Sequence, residues 1–373
     1  MPKIKSLVVS VFSIILLVSC KSEAEKKAER NAIIDSTIVN FEKKLLKNQI
    51  DSVFVKHHFN GRVAIFNKDE IVYQKQNGFQ NFENKIPFSK NSVFAIGSVS
   101  KQFTAILVLL QEEAGKLKTS DKVSKYLPEF QTKNLESITI HQLLNHSSGL
   151  NDDGENLLFK SGKDFNYSNK GFRFLGKIIE KVSGKSYDEN AMELFAKAGM
   201  KNTSTANTFK GGNFAGAYDG TANNYHEIEN MPKRLSGNEI GTSAGGILST
   251  IGDLKIWNDA LFGGKILKPE TLQKMHSKSS HRKEYIMGDV GYCYGIMTNL
   301  EKPKGYFHTG YVKGSPSLLV YYPETKTSVV ILSNIADDSK GSASIFKPHV
   351  EIKKLMDALE NTTIELRKEM IKE

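Results

Sequence analysis

The spacing of apolar residues changes character three times along the chain. Ile34, Ile38, Phe41, Leu45 and Leu46 recur at helical spacing and predict an amphipathic helix over residues 31–56. RVAIFNKDEIVYQKQNGF follows, two β-rich runs with Asn67-Lys68-Asp69 between them, which reads as a hairpin. Residues 98–115 then form a helix that is apolar nearly all round, through Phe103, Ile106, Leu107, Leu109 and Leu110, so it belongs in a core; Gly115 closes it. ITIHQLLNHSSGL, residues 138–150, predicts a short helix and a turn, and 171–183 and 188–198 predict two more helices. Residues 201–240 are rich in Gly, Asn and Thr and have little periodicity; a helix restarts near 250, where Thr250 and Asp253 stand at capping-box spacing. From residue 291 the period becomes two, in GYCYGIM, GYFHTGYV, SPSLLVYYP and KTSVVILSN, giving three or four strands, with Pro323-Glu324-Thr325 in one turn. The tail from about 345 is helical again.

Strands at both ends and helices between them predict an α+β chain. The N- and C-terminal strands complete one antiparallel sheet, flanked by the terminal helices, and residues of about 100–290 form a mainly helical subdomain. The main body spans 31–345, the segment 346–373 is a C-terminal helix packing on the sheet, and a site is expected where the two lobes meet.

The start of the chain reads as an export signal. Lys3 and Lys5 precede an apolar run, Leu7 to Val18, that is too short to span a membrane, and the run ends in Leu17-Val18-Ser19-Cys20. This resembles a bacterial lipobox. The expectation is a lipoprotein signal peptide over 1–19, with lipid carried on Cys20, and a charged tether, KSEAEKKAER, through residue 30. Lys21 favours the outer membrane, facing the periplasm. Cys293 is the only other cysteine, so the body has no internal disulfide, and its aromatic surroundings mark a buried thiol rather than a nucleophile. The net charge of +10, from 51 Lys+Arg against 41 Asp+Glu, is scattered without a basic block or interleaved aromatics, which excludes nucleic acid as the partner.

Three short motifs carry the chemistry. Ser98 and Lys101 stand three residues apart where the apolar helix begins, so the amine reaches the hydroxyl on one helix face. A serine needs a base beside it, and a lysine serves only when burial or another cation brings its pKa from about 10.4 toward neutrality. Tyr167-Ser168-Asn169 adds a phenol that can pass protons and an amide that can hold a carbonyl or an amine. His308-Thr309-Gly310 lies on a strand edge, where Gly lets a backbone lie close. Taken alone, Ser98 and Lys101 also fit a helix cap with a snorkelling lysine.

Together the motifs resemble those of the serine β-lactamase and penicillin-binding-protein superfamily. The Tyr-x-Asn form is similar to the class C β-lactamase-like branch, which also holds D-alanyl-D-alanine carboxypeptidases, D-aminopeptidases and family VIII-type esterases. VFAIGSVSKQFTAILVLLQEEAGKL, ITIHQLLNHSSGL, GTSAGGILSTIGDL and FHTGYVKGSPSLLVYYPET resemble family blocks in family order, over roughly residues 58–335. The resemblance implies a β-lactamase/transpeptidase-like fold and a covalent acyl-enzyme at Ser98. In it Lys101 takes or tunes the serine proton, Tyr167 is the acid and base, and Asn169 positions Lys101 and substrate. The backbone N–H groups of Ser98 and Tyr311 form the oxyanion hole, and Thr309 and Gly310 line the edge strand. His308 stands where the family has lysine. That lysine holds a substrate carboxylate and supports the tyrosine, whereas a histidine near pKa 6.5 is only partly charged. The departure favours a peptidase or esterase acting on small, peptide or peptidoglycan-derived substrates over a β-lactamase proper; a penicillin-binding sensor that acylates without turnover is the rival from another class.

Three further features carry no chemistry in this reading. Gly241-Thr242-Ser243-Ala244-Gly245 matches the nucleophile-elbow spacing but follows a loop-like segment rather than a strand, so Ser243 is structural. His146 is a turn or core hydrogen-bonder. His57-His58 lack ligand-spaced partners, so neither a metal nor another cofactor is expected.

Overall fold

The computed structural model describes residues 22–237 and 240–370; Cys20 and the signal segment lie outside them. Helix α1, Glu23–Lys56, opens with Ser22 and Glu25 capping each other reciprocally. Its buried stripe steps by four, through Ile34, Ile38, Glu42, Leu46 and Ile50. Phe41, expected on that stripe, is 61% exposed because the stripe runs one residue further on, through Glu42. The charged residues 23–30 form the helix's outer turns.

The hairpin forms as read, β1 Gly61–Asn67 and β2 Glu70–Asn77, with Lys68 at positive φ in the turn. Helices α2 Ser100–Glu113, α3 Ile140–Leu144, α4 Asn169–Ser183, α5 Tyr187–Ala198, α6 Thr242–Gly245, α7 Ile251–Phe262 and α8 Pro269–His276 follow. Thr250 caps α7 by accepting from the Asp253 N–H. The remaining sheet strands are β3 Ser280–Tyr285, β4 Gly288–Tyr292, β5 Met297–Asn299, β6 Tyr306–Val312, β7 Ser315–Tyr322 and β8 Thr327–Ser333; α9 Gly341–Ile345 and α10 Lys347–Met370 complete the chain. The sheet is antiparallel throughout, in the order β3-β4-β5-β6-β7-β8-β1-β2, so the N-terminal hairpin closes the C-terminal meander as expected.

Alternation along the strands assigns each face a partner. Val63 and Ile65 of β1, Leu318 and Val320 of β7, and Val329 and Ile331 of β8 pack against α1 and α10. Their neighbours Ala64, Leu319, Val330 and Leu332 face the helical subdomain. Two apolar faces explain why these strands are buried almost continuously. Strand β3, SHRKEY, was not legible as a strand: it is a polar edge with no alternation, which suits an edge that must not pair with another chain.

Two carboxyls are sealed between α1, α10 and the β7–β8 turn. Glu42 accepts from the Thr363 hydroxyl and Glu360 from that of Thr325, both at 2.5 Å, and each side chain is under a tenth exposed. Burial pushes the Glu360 carboxyl up to about 7; Glu42 adds to the rise, while the threonine hydroxyls and Arg367 oppose it. The folded state therefore holds this proton more tightly than the unfolded chain, and its stabilisation is complete below pH 4.5 and lost as pH rises through 7. Glu360→Gln is expected to leave urea stability near wild type at pH 5. At pH 8.5 it should gain up to about 3 kcal/mol, the equivalent of the shift.

Candidate active site

The site lies where α2 meets β6. Gly97–Val99 form a 3-10 turn leading into α2, with Gly97 at φ +50. A Cβ on Gly97 would stand 2.5 Å from the Tyr311 nitrogen, and one on Gly310 would stand 1.9 Å from the Ile96 carbonyl oxygen. The space beside Gly310 is thus filled by the segment that carries Ser98 rather than left for a substrate backbone. The Ser317 hydroxyl donates to the same carbonyl at 2.9 Å, fastening the Ser98 turn to the sheet. Ser100 is buried in the first turn of α2, where its hydroxyl accepts from the Ile247 N–H.

Lys101 has no exposed surface. Its Nζ contacts Ser98 Oγ at 3.1 Å, Asn169 Oδ1 at 2.7 Å and the Ala244 carbonyl oxygen at 2.7 Å. Burial brings its pKa down to about 7; Arg282 and Arg173 push the same way, and Asp152 opposes. Two of these oxygens only accept, and the third, Ser98 Oγ, can accept from an N–H or, once the amine is neutral, donate to its lone pair; burial favours that neutral form. The GTSAG segment thus contributes a backbone acceptor, not a nucleophile. Ser243 is buried with its Oγ packed against Gly176, and its carbonyl accepts from Thr104.

The Tyr167 ring packs over the Lys101 amine at 4.8 Å. Burial holds its hydroxyl well above the usual phenol range, although a hydrogen bond with Ser98 and the Arg282 charge pull the other way, so the resting phenol keeps its proton. Asp152 fixes this segment. Its carboxylate accepts from the Ser168 hydroxyl at 2.6 Å, the Asn169 N–H at 2.8 Å and the Lys170 N–H at 3.0 Å, at the start of α4.

His308 is buried and neutral. Burial, with Lys101 adding to it, takes its pKa down to about 3. The expectation of a partly charged histidine is thereby corrected: at about 1% exposure an imidazolium would lose its solvation. Its Nδ1 donates to the Thr309 carbonyl, and its Nε2 stands 2.9 Å from the Tyr292 hydroxyl. Thr309 meets the Tyr285 hydroxyl. Tyr311 sends its side chain away from Ser98, to Asp338, which leaves only its backbone for the site.

Sequence reasoning missed Asp152, Tyr292, Tyr285 and Arg282. The last two sit on the polar edge strand β3, where no motif singled them out. Arg282 lies over the Tyr167 ring at 4.8 Å and the Tyr285 ring at 3.7 Å. Cys293 is buried, its thiol pushed up to about 12 by burial and donating to the His276 carbonyl. His57 pairs with Glu351. No cluster able to hold a metal ion occurs among the described residues.

A serine, a buried amine and a protonated phenol stand in mutual contact on an α+β scaffold. The Beta-lactamase family model matches residues 40–346, and the chain belongs to that family; it is a serine hydrolase of the β-lactamase-related kind. A penicillin-binding protein of Bacillus subtilis is 27% identical over 340 residues, which cover 82% of this chain and 74% of the relative. A teichoic acid D-alanine hydrolase of Staphylococcus aureus is 34% identical over 165 residues, 38% of this chain and 40% of that protein. The octameric penicillin-binding protein homologue of Pyrococcus abyssi superposes with a TM-score of 0.71 at 26% identity, covering 87% of this chain and 79% of that one.

Asp152→Ala removes the acceptor of three donors. It is expected to cost about 1–3 kcal/mol in urea unfolding and to lower hydrolytic turnover more than substrate affinity. Asp152→Asn, which keeps the acceptor oxygen, is expected to recover part of both.

Proposed function

We propose that Ser98 is the nucleophile of an exported hydrolase that cleaves amides or esters of the D-alanyl-peptide type through an acyl-enzyme. The observation that carries this reading is the Lys101 amine, buried, near-neutral in pKa and aimed at Ser98 Oγ. In the first step the serine oxygen attacks the substrate carbonyl, and its proton passes to the Lys101 lone pair. The oxyanion is held by the backbone N–H groups of Ser98 and Tyr311. The leaving group departs with a proton from the Tyr167 hydroxyl, which Lys101 replaces. Water then attacks the acyl ester, giving its proton to the same pair, and Ser98 leaves as the alcohol. Asn169 holds Lys101 and takes the substrate amide. Thr309 lines the strand, with His308 and Gly310 shaping it.

Arg282 favours substrates carrying a carboxylate near the scissile bond. Among the described residues no carboxylate pairs with its guanidinium, which rests on two aromatic faces. The same charge disfavours a D-alanyl ester, whose free amine is cationic. Leu17-Val18-Ser19-Cys20 supports a lipid anchor at the outer membrane, so that Cys20→Ser moves the protein from the membrane pellet to the soluble fraction.

The decisive experiment gives the protein a penicillin, p-nitrophenyl acetate and a D-alanyl-D-alanine peptide, and follows intact mass and product release. Turnover of the ester and peptide is expected, with at least a thousandfold loss in Ser98→Ala, on the order seen when a nucleophile is removed. Labelling without release would favour the sensor reading, and the absence of any Ser98-dependent chemistry would overturn both. Because only the unprotonated amine can accept the serine proton, kcat/KM should rise with pH through about 7, the value to which burial brings Lys101.

A further inference from the structure

We infer that Arg282 supplies the positive charge that Tyr167 needs, so that this charge has moved from the third motif to the edge strand β3. The inference rests on the proposed acyl-transfer role of Ser98, Lys101 and Tyr167.

The first ground is that position 308 cannot carry the charge. The Ser168 backbone N–H donates to His146 Nδ1 at 3.1 Å, so the proton of that neutral ring is on Nε2, which stands 3.1 Å from the Tyr292 oxygen. At the other end the Thr309 carbonyl only accepts, so His308 carries its proton on Nδ1, and Nε2 is left to accept from the Tyr292 hydroxyl. Every proton in the chain His146–Tyr292–His308 then points the same way. A second proton on His308 would set two N–H groups against one Tyr292 oxygen and strand the tyrosine's own hydrogen. Burial enforces the same state, since both histidines are about 1% exposed.

The second ground is where the remaining cations lie. Lys101 is committed to Ser98, Asn169 and Ala244. Arg173, on α4, also lowers the Lys101 pKa. Arg282 lies on the Tyr167 ring and has no carboxylate partner among the described residues. Tyr285, whose ring Arg282 also covers, bonds to the Thr309 hydroxyl, so the guanidinium is tied to the third motif through one side chain. A cation there stabilises negative charge developing on the Tyr167 oxygen and disfavours the ammonium of Lys101, both of which promote proton transfer. Asp152 is the opposing charge, and Tyr285 and the two histidines face the group uncharged.

The test separates this role from carboxylate binding by using p-nitrophenyl acetate, which has no carboxylate. In Arg282→Gln the rising limb of kcat/KM against pH is expected to move up by about half a unit or more, as for loss of a nearby like charge from the lysine. A fall in kcat of about tenfold should accompany it. Arg282→Lys should return the limb toward its wild-type position, while His308→Gln, whatever its effect on rate, should leave the limb in place. A folded Arg282→Gln protein with an unmoved limb would overturn the inference, as would a limb that follows His308. With the D-alanyl-D-alanine peptide, a rise in KM alone would assign Arg282 to substrate binding only and would likewise overturn it. Should the wild-type protein turn over neither substrate, it is the hydrolase reading that fails.

Discussion

The burial of one lysine amine organises this molecule. An ammonium taken from water into a protein core costs several kcal/mol unless it is paired, and among the described residues no carboxylate contacts it. The chain meets that constraint by bringing three oxygens from three separate segments to one nitrogen: Ser98 from the turn before α2, Asn169 from the start of α4, and the Ala244 carbonyl from α6. Either form of the amine can meet the three oxygens, and burial favours the neutral one, the form able to take a proton. Stability and reactivity therefore ask for the same state of the same atom, and the helical subdomain is assembled around that agreement.

The polar chain beside Tyr167 carries no formal charge. The His146–Tyr292–His308 chain is polar, satisfied and neutral, and links the Tyr167 segment to the strand that carries Thr309. A lysine at 308 would bring three donors toward the Tyr292 oxygen, which already accepts from His146. The third motif and its buried partners are thus mutually selected: histidine fits where the neighbouring groups offer one donor and one acceptor.

Much of this was legible from the amino-acid order, and the limits have physical causes. Apolar periodicity placed α1, α2, α4, α5 and the C-terminal strands because each buries a regular face. It misjudged the register of α1 because a glutamate occupies the buried stripe, and hydropathy cannot see the Thr363 hydroxyl that satisfies it. The segments holding Ser98, Lys101, Tyr167 and Asn169 could be read as motifs, since their chemistry depends on short spacings. Asp152 and Arg282 could not, because they act through groups distant in sequence and sit in segments without a periodic pattern. The charge state of His308 was likewise invisible, being set by burial rather than by residue type.

One further consequence follows from how the two lobes touch. The Ile96 carbonyl packs where a Cβ of residue 310 would be, the Tyr311 nitrogen sits where a Cβ of residue 97 would be, and Ser317 ties Ile96 to the sheet. Backbone lies against backbone, with no side chain between to act as a spacer. The Ser98 turn and strand β6 are therefore fixed to each other more rigidly than rotamers allow. The proposed oxyanion donors, one on each side of this seam, inherit their separation from it. Glycine at 97 and 310 thus serves the position of Ser98, and under the proposed chemistry the freedom to fit different acyl groups lies elsewhere, on the edge strand where Arg282 and Tyr285 stand.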